Sequence, residues 1–369
     1  MSATGNCVQS RKQIQLDANE QIGVGIDVHK KSFYVCLWSV RDDREVRRWS
    51  QPSDAAALMR KLEPLRRHVR QIAYEAGPTG FVLARAMEKQ NWPVIVTSPA
   101  DIPTSPNAPK CDRKDARRLA RLAAKNMLSG CFIPSVEHED ERRMVRLRGR
   151  IMCDKNRSQL RIKSLLLGNG IVEPPSLKYW GSKAIEDLKG LACTADMRFC
   201  LDVHIAQLVH TRQLLRSCDM QLQCLAERPH RCHDIDLLTS IPGIGAPSAL
   251  QFLVEIGPRG RFGDRIELAK YLGLAPDVRS SGESRSEGDL NHSGNRYLRT
   301  MLIEAAWRWI RYDPNARALY GRMMSNTGTA QKAIVAVARK LGIIMWHLRE
   351  TQSVYETKKL SRKELATTT

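Results

Sequence analysis

The order of apolar segments between residues 21 and 97 is the feature that most limits the fold. QIGVGIDVHKKSFYVCLWSV predicts two strands around a turn, and REVRRWSQ predicts a third strand. DAAALMRKLEPLRR then predicts a helix, and the strands RQIAYEA and WPVIVTSP enclose a second helix, TGFVLARAMEKQ. A run of strands followed by strands that alternate with helices predicts a mixed α/β sheet domain, here residues 20–130.

The rest of the chain predicts helices. In residues 131–230, leucines 201, 208, 215 and 222 keep a seven-residue period, which favours a coiled-coil seam and makes self-association plausible. An ordinary amphipathic helix in a bundle is the alternative. Residues 231–350 predict a mainly helical C-terminal domain with a helix-hairpin-helix-like turn, SIPGIG, and a Gly/Ser-rich loop, VRSSGESRSEGDLNHSGNR. Residues 1–19 and 351–369 are expected to be flexible. The fold class is therefore α/β plus α.

The charge of the chain points to a polyanionic partner. Lys and Arg number 59 against 39 Asp and Glu, a formal net charge of +20, and cations that neutralise phosphates gain affinity by releasing counterions. We expect no membrane partner, because no apolar run approaches the roughly 18 residues of a spanning helix. A cytoplasmic location is expected, since the N-terminus lacks an apolar signal core and the ten cysteines are scattered.

Four carboxylates follow the predicted elements in an order that suggests a metal site. Asp27 lies in the first strand, Glu75 ends a later strand, and Asp112 and Asp115 open a helix after a proline-rich loop. Oxygen ligands of this kind suit two hard divalent cations, Mg²⁺ or Mn²⁺. Each acid has a simpler explanation: Asp112 caps a helix, Asp27 starts a turn with His29, and Glu75 pairs with an arginine.

Two further segments predict contacts with a nucleic-acid backbone. Gly243 and Gly245 of SIPGIG would let backbone N–H groups approach a phosphate, unless the segment is a plain inter-helix turn. Arg296 and Arg299 follow the Gly/Ser-rich loop on one helical face and could clamp a phosphate.

Five segments occur along the chain in this order: GIDVHKKSF, YEAGPTG, CDRKDA, SIPGIGAPSA and APDVRSSGESRSEGDLNHSGNRYLR. In these segments and their order, over roughly residues 22–310, the chain resembles the DEDD transposases of the one-ten insertion-sequence family. The resemblance implies a RuvC-like (RNase H fold) N-terminal domain. It implies that Asp27, Glu75, Asp112 and Asp115 form the catalytic metal-binding tetrad. It also implies that Ser281, with Ser280 as the adjacent ambiguity, is a nucleophile that joins a DNA phosphate.

As partners, the resemblance implies donor and target DNA, a noncoding bridge RNA that guides both, and a homo-oligomer in which the acids of one subunit meet the serine of another. Three other functions fit parts of the pattern: a metal-dependent Holliday-junction-type nuclease without a covalent step, an actin-like ATPase that uses GIDVHKKS as a phosphate loop, and a DNA-binding scaffold without catalysis. The joint pattern favours a DNA transposase or recombinase.

Overall fold

The computed structural model describes residues 16–102, 112–281, 284–290 and 294–356, with the backbone alone for 112, 113, 276–281 and 284–290. The flexible ends predicted at 1–19 and 351–369 lie largely outside these ranges. The chain divides into two compact units, Met1–Pro134 and Ser135–Thr369. The predicted boundary between residues 230 and 231 stays a prediction.

The first unit contains the predicted mixed sheet. Its elements are β1 (Ile22–Val28), β2 (Ser32–Ser39), β3 (Glu45–Pro52), α1 (Ala55–Leu62), β4 (Val69–Glu75), α2 (Val82–Glu88), β5 (Val94–Thr97) and α3 (Asp112–Ala124). The strand order is β3-β2-β1-β4-β5. β1 is antiparallel to β2 and parallel to β4, and β4 is parallel to β5. This arrangement fits an RNase H-like DEDD transposase domain and confirms the mixed α/β prediction.

Strand β1 lies at the centre of the sheet and is covered on both faces. Ile22, Val24 and Ile26 are completely buried in a core that also contains leucines and methionines of α1 and α2. On the other face, Cys36 of β2 packs with alanines of α3. Because successive strand residues point to opposite faces, Gly23 and Gly25 are directed at α3.

The two glycines of β1 allow α3 to pack directly on the strand backbone. A Cβ atom on Gly25 would lie 2.1 Å from the carbonyl oxygen of Ala116 and 2.3 Å from the nitrogen of Ala120. A Cβ on Gly23 would lie 2.3 Å from the carbonyl oxygen of Ala120. The sequence ARRLARLAA gives α3 a stripe of small residues, so helix and strand meet with no side chain between them.

The second unit is mainly helical. Its elements are α4 (Val136–Gly168), α5 (Ser182–Lys189), α6 (Ala195–Ala226), α7 (Pro229–Thr239), α8 (Ala246–Ile256), α9 (Arg265–Tyr271), β6 (Pro276–Ser281), β7 (Ser284–Leu290), α10 (Arg296–Tyr312), α11 (Pro314–Thr327) and α12 (Ala330–Thr351). The largest core joins α7–α12 with the adjoining ends of α4 and α6. None of the helices in the described ranges carries an apolar run of the length that a bilayer requires.

The heptad leucines of α6 face α4 of the same chain. Arg148 in the first half of α4 pairs with Asp219 in the second half of α6, and Arg161, later in α4, contacts Gln207, earlier in α6, so the two helices are antiparallel. Leu201 and Leu208 are completely buried with Ile162 of α4. The leucine period therefore has an explanation within one chain, and coiled-coil geometry stays a prediction.

The prediction of a loop over residues 278–296 is wrong for much of that segment. Strands β6 and β7 form an antiparallel hairpin in which Ser281 pairs with Ser284. The segment was missed because only Val278 and Leu290 are apolar between 277 and 290, so no alternating pattern marks it.

Replacing Gly25 with alanine tests the contact between β1 and α3. The new methyl group would meet backbone atoms, which cannot move aside, so the free energy of unfolding should fall by about 1–3 kcal/mol or more. Urea unfolding followed by circular dichroism measures the change. Gly77→Ala is the matched control, since its nearest neighbour would be the Glu75 carbonyl oxygen at 3.9 Å. Equal midpoints for the two variants would contradict the close packing.

Candidate active site and nucleic-acid interface

Asp27 and Glu75 lie at the carboxyl ends of two adjacent parallel strands. Ile26 of β1 is in register with Tyr74 of β4, so the two acids follow at the next position of each strand. Asp27 shares its face of β1 with Gly23 and Gly25. Glu75 shares its face of β4 with Ala73, which packs with Leu119 of α3. Both acids are therefore on the face of the sheet that α3 covers.

The first turn of α3 lies at the same end of β1. Gly23 is level with Ala120 and Ala124, and Gly25 is level with Ala116 and Ala120. Two strand residues span about 6.6 Å and four helical residues about 6 Å. Two residues further along β1 and one turn earlier in α3, Asp27 is therefore level with residues 112 to 116. Asp112 is the first residue of α3, and its side chain is outside the described part.

The carboxylates have partial partners in the described part of the chain. Asp27 Oδ2 lies 3.2 Å from His29 Nε2, as the turn alternative predicts. Asp115 Oδ1 accepts a hydrogen bond of 2.9 Å from Arg118. Among the described side chains no Lys or Arg pairs with Glu75, which is exposed, so the arginine alternative for Glu75 has no support there.

The acids lie at one end of the sheet, but the described carboxylates do not form a tight cluster. Among the described side chains, which exclude that of Asp112, no three His, Cys, Asp or Glu residues converge tightly enough to hold an ion. The donors are all carboxylate oxygens, the type that hard divalent cations prefer. The positive end of the α3 dipole also reduces the cost of gathering negative charge there. By chemistry and position the acids fit a divalent cation site.

Gly243 and Gly245 have different surroundings in the turn between α7 and α8. Gly243 has φ of +87°, and a Cβ on it would lie 3.1–3.2 Å from Arg308 of α10. Its glycine identity is explained by the turn and by packing against α10. Gly245 is exposed at the N-cap of α8, where Pro247 has no N–H group and the Ser248 N–H donates to the Gly245 carbonyl oxygen at 3.0 Å.

A groove of 1030 Å³ lies beside Gly245, between α4, α8 and α10. Its lining contains more positive than negative side chains: Arg146, Arg148, Arg150, Arg157, Arg296 and Arg308 against Asp154 and Glu304. Three of these arginines are paired, with Glu255, Asp219 and Asp154. Among the described residues no carboxylate pairs with Arg150, Arg296 or Arg308. The groove therefore presents uncompensated positive charge.

Of the two arginines predicted from the sequence, only Arg296 lines this groove. The guanidinium of Arg299 instead packs against the backbone of Gly273, 2.5 Å from where a Cβ of that glycine would lie. Sequence reasoning missed Arg150 and Arg308 as groove residues, because the groove joins helices far apart in the chain. The high charge of α4 was the available signal.

Ser281 is the last residue of β6, and its side chain is outside the described part. Ser280 pairs with Arg285 and Ser281 with Ser284.

Aromatic residues of α10 divide between core and surface. Trp309 is completely buried, whereas Trp307 is 47% exposed and packs against Tyr320 with ring centroids 5.6 Å apart. Tyr297 lies between two guanidinium groups, with Arg146 at 4.7 Å and Arg296 at 5.2 Å from its ring centroid. Core packing thus accounts for Trp309.

Comparisons with known proteins agree over both units. Residues 235–321 match the model of the Transposase IS116/IS110/IS902 family, and residues 24–169 match the DEDD transposase model of the IS110 group. The protein y4rJ of Sinorhizobium fredii, which carries a transposase name, is 30% identical, covering 79% of this chain and 82% of y4rJ. The transposase of element IS1111A from Coxiella burnetii is 24% identical, covering 90% of each chain.

A third relative, y4qE of Sinorhizobium fredii, also carries a transposase name and is 28% identical, covering 88% of this chain and 87% of y4qE. Family members are DNA-cleaving and strand-transferring enzymes, and DEDD transposases generally depend on divalent metals. On these matches, the chain belongs to the IS116/IS110/IS902 family of transposases.

Proposed function

We propose that this transposase cleaves and rejoins donor and target DNA with a metal-binding tetrad and a serine nucleophile. Asp27, Glu75, Asp112 and Asp115 are the proposed ligands of Mg²⁺, with Mn²⁺ as a substitute. One observation above all supports this proposal. Because α3 packs directly on Gly23 and Gly25 of β1, the first turn of α3 lies opposite Asp27. Divalent cations bound there would activate a nucleophile and stabilise a leaving oxygen.

The protein's own contribution at this site is to hold negative charge in place. Asp27 and Glu75 are on rigid neighbouring strands, and α3 packs on β1 through backbone contacts. Both acids therefore have little freedom to separate when a cation is absent. His29 beside Asp27 restricts the rotation of that carboxylate.

Ser281 is the proposed nucleophile of the second unit. Its hydroxyl would lose a proton while Oγ bonds to phosphorus, and the bridging P–O bond would break to release a strand whose terminal oxygen takes up a proton. The phosphoserine ester keeps the energy of the broken bond, so rejoining needs no ATP. Support comes from the position of Ser281 at the tip-proximal end of β6 and from the family match that includes it.

Nucleic acid is proposed to contact the second unit at the groove. Gly245 lines the groove with an exposed backbone, and Arg296, Arg150 and Arg308 supply charge without described carboxylate partners. Gly243 and Arg299 would act indirectly, by shaping the turn and the hairpin base. A noncoding guide RNA is proposed as a partner beside the DNA, since both present the same phosphate chemistry to this surface.

Self-association is proposed to use a surface other than the leucine seam. That seam is buried against α4, whereas Phe199 (70% exposed), Val203 (50%) and Met220 (61%) lie on outward faces of α6. A dimer or tetramer could bury these apolar side chains.

Asp27→Asn and Glu75→Gln test the tetrad. Each variant should lose DNA cleavage in Mg²⁺ by about 100-fold or more, the scale expected for removing one group that stabilises developing charge. Gel shift should show unchanged DNA binding, because the acids do not hold the backbone. Glu88→Gln, an exposed acid at the end of α2, is the control and should cleave normally. Full activity in both site variants would rule out the tetrad.

Ser281→Ala tests the covalent step. Denaturing electrophoresis of wild type mixed with labelled element-end DNA should show a protein–DNA adduct that disappears in Ser281→Ala and persists in Ser280→Ala. An adduct lost only in Ser280→Ala would transfer the role to Ser280. Cleavage with no adduct in any form would instead favour a junction nuclease.

A further inference from the structure

Glu255 is a buried carboxylate that the proposed chemistry does not use. It lies near the end of the apolar helix α8, and its side chain has no solvent exposure. A carboxylate without water is costly unless it is paired and hydrogen-bonded. Its partners therefore indicate what the fold gains from keeping an acid there.

Helix α4 and residue Asn295 supply those partners. Arg146 binds Glu255 through two bonds, Nε to Oε1 at 2.6 Å and Nη2 to Oε2 at 2.7 Å. Arg142 Nε lies 3.8 Å from Oε2. The side-chain amide of Asn295 donates to Oε2 at 2.8 Å. Glu255 thus joins the basic helix α4 to the residue that precedes α10.

Asn295 makes further bonds at the same point. Its Oδ1 caps α10 by accepting from the backbone N–H of Tyr297 at 3.0 Å and of Leu298 at 3.3 Å. Its own backbone N–H donates to the Tyr271 carbonyl oxygen at 2.7 Å. The Tyr271 hydroxyl lies 3.3 Å from Asn295 Nδ2 and donates to the Glu255 carbonyl oxygen at 2.8 Å.

These bonds close the base of the β6–β7 hairpin. The chain leaves α9 at Tyr271 and returns at Asn295, and a Cβ on Gly294 would lie only 2.2 Å from the Cα of Gly273. Gly273 has φ of +67°, which favours glycine. The two ends of the hairpin segment are therefore in backbone contact, and both are bonded to Glu255, Asn295 to its carboxylate and Tyr271 to its backbone carbonyl oxygen.

We propose that Asn295 and Glu255 are positioning residues that fix the hairpin base, and through it Ser281, relative to α4. The role in catalysis rests on the proposed function of Ser281. Glu255 is buried and Asn295 is engaged with Glu255, Tyr271 and α10, so both act through the hairpin rather than on DNA. Arg146 lines the groove and also binds Glu255, so α4 contributes to the groove and to the hairpin base.

Asn295→Ser separates positioning from helix capping. Serine is also a strong N-cap, so α10 should keep its capped end, but its hydroxyl is too short to replace the amide bonds to Glu255 and Tyr271. We expect hydrogen exchange of the β6–β7 amides to accelerate while that of α11 and α12 is unchanged. Asn169→Ser, which removes an exposed amide bond at the end of α4, is the matched control. Wild-type exchange in the hairpin of Asn295→Ser overturns the proposal.

The catalytic consequence is measured with saturating DNA. The rate of serine adduct formation should fall about 10-fold or more in Asn295→Ser, as expected for a displaced nucleophile, with the Kd for DNA unchanged. Tyr271→Phe should show a smaller loss of the same kind. A purely structural role would lower thermal stability and leave the rate per folded molecule unchanged, which overturns the positioning role.

Wild type and Ser281→Ala, run in parallel, separate this inference from the proposed function. If wild type forms no Ser281-dependent adduct, the proposed nucleophile is wrong, and the hydrogen-exchange result alone decides whether Asn295 fixes the hairpin. If wild type forms the adduct and Asn295→Ser forms it at the same rate, the positioning role is wrong and the nucleophile stands.

Discussion

The contact of α3 with the backbone of β1 is the constraint on which the first unit depends. Gly23 and Gly25 leave no side chain between helix and strand, and the small residues of α3 complete the fit. This contact sets the level of the helix along the strand and therefore sets which residues lie opposite Asp27. The proposed catalytic arrangement, which draws on acids distant in sequence, would thus be prepared by the packing of residues that take no part in the chemistry.

The second unit also holds its proposed catalytic segment in place, but by polar contacts instead of close apolar packing. Its hairpin base is fixed by polar groups, because Arg146 of α4 and the amide of Asn295 both donate hydrogen bonds to one buried carboxylate. Such a network specifies a single geometry, since any displaced partner would leave buried polar groups unpaired. Rigid scaffolds therefore carry both sets of proposed catalytic residues, each by a different physical means.

The sequence predicted the secondary-structure elements better than the contacts between them. Strand and helix periodicity identified all five strands of the main sheet, and the order of the acids put Asp27 in the first strand and Glu75 at the end of a later one. Their adjacent positions on paired strands came only from the structure. It did not indicate that Gly23 and Gly25 would meet α3, that the α6 leucines would meet α4, or that Glu255 is a buried hub. Each of these depends on partners distant in the sequence, which no local pattern specifies.

In the proposed mechanism, Asp27, Glu75 and the first turn of α3 form one divalent cation site. The most direct measurement is the anomalous scattering of Mn²⁺ in crystals of the full chain grown with the ion. We expect anomalous peaks bounded by the carboxylates of Asp27 and Glu75 and by the start of α3. Crystals that show ordered carboxylates at these positions, with no peak between them, would contradict it.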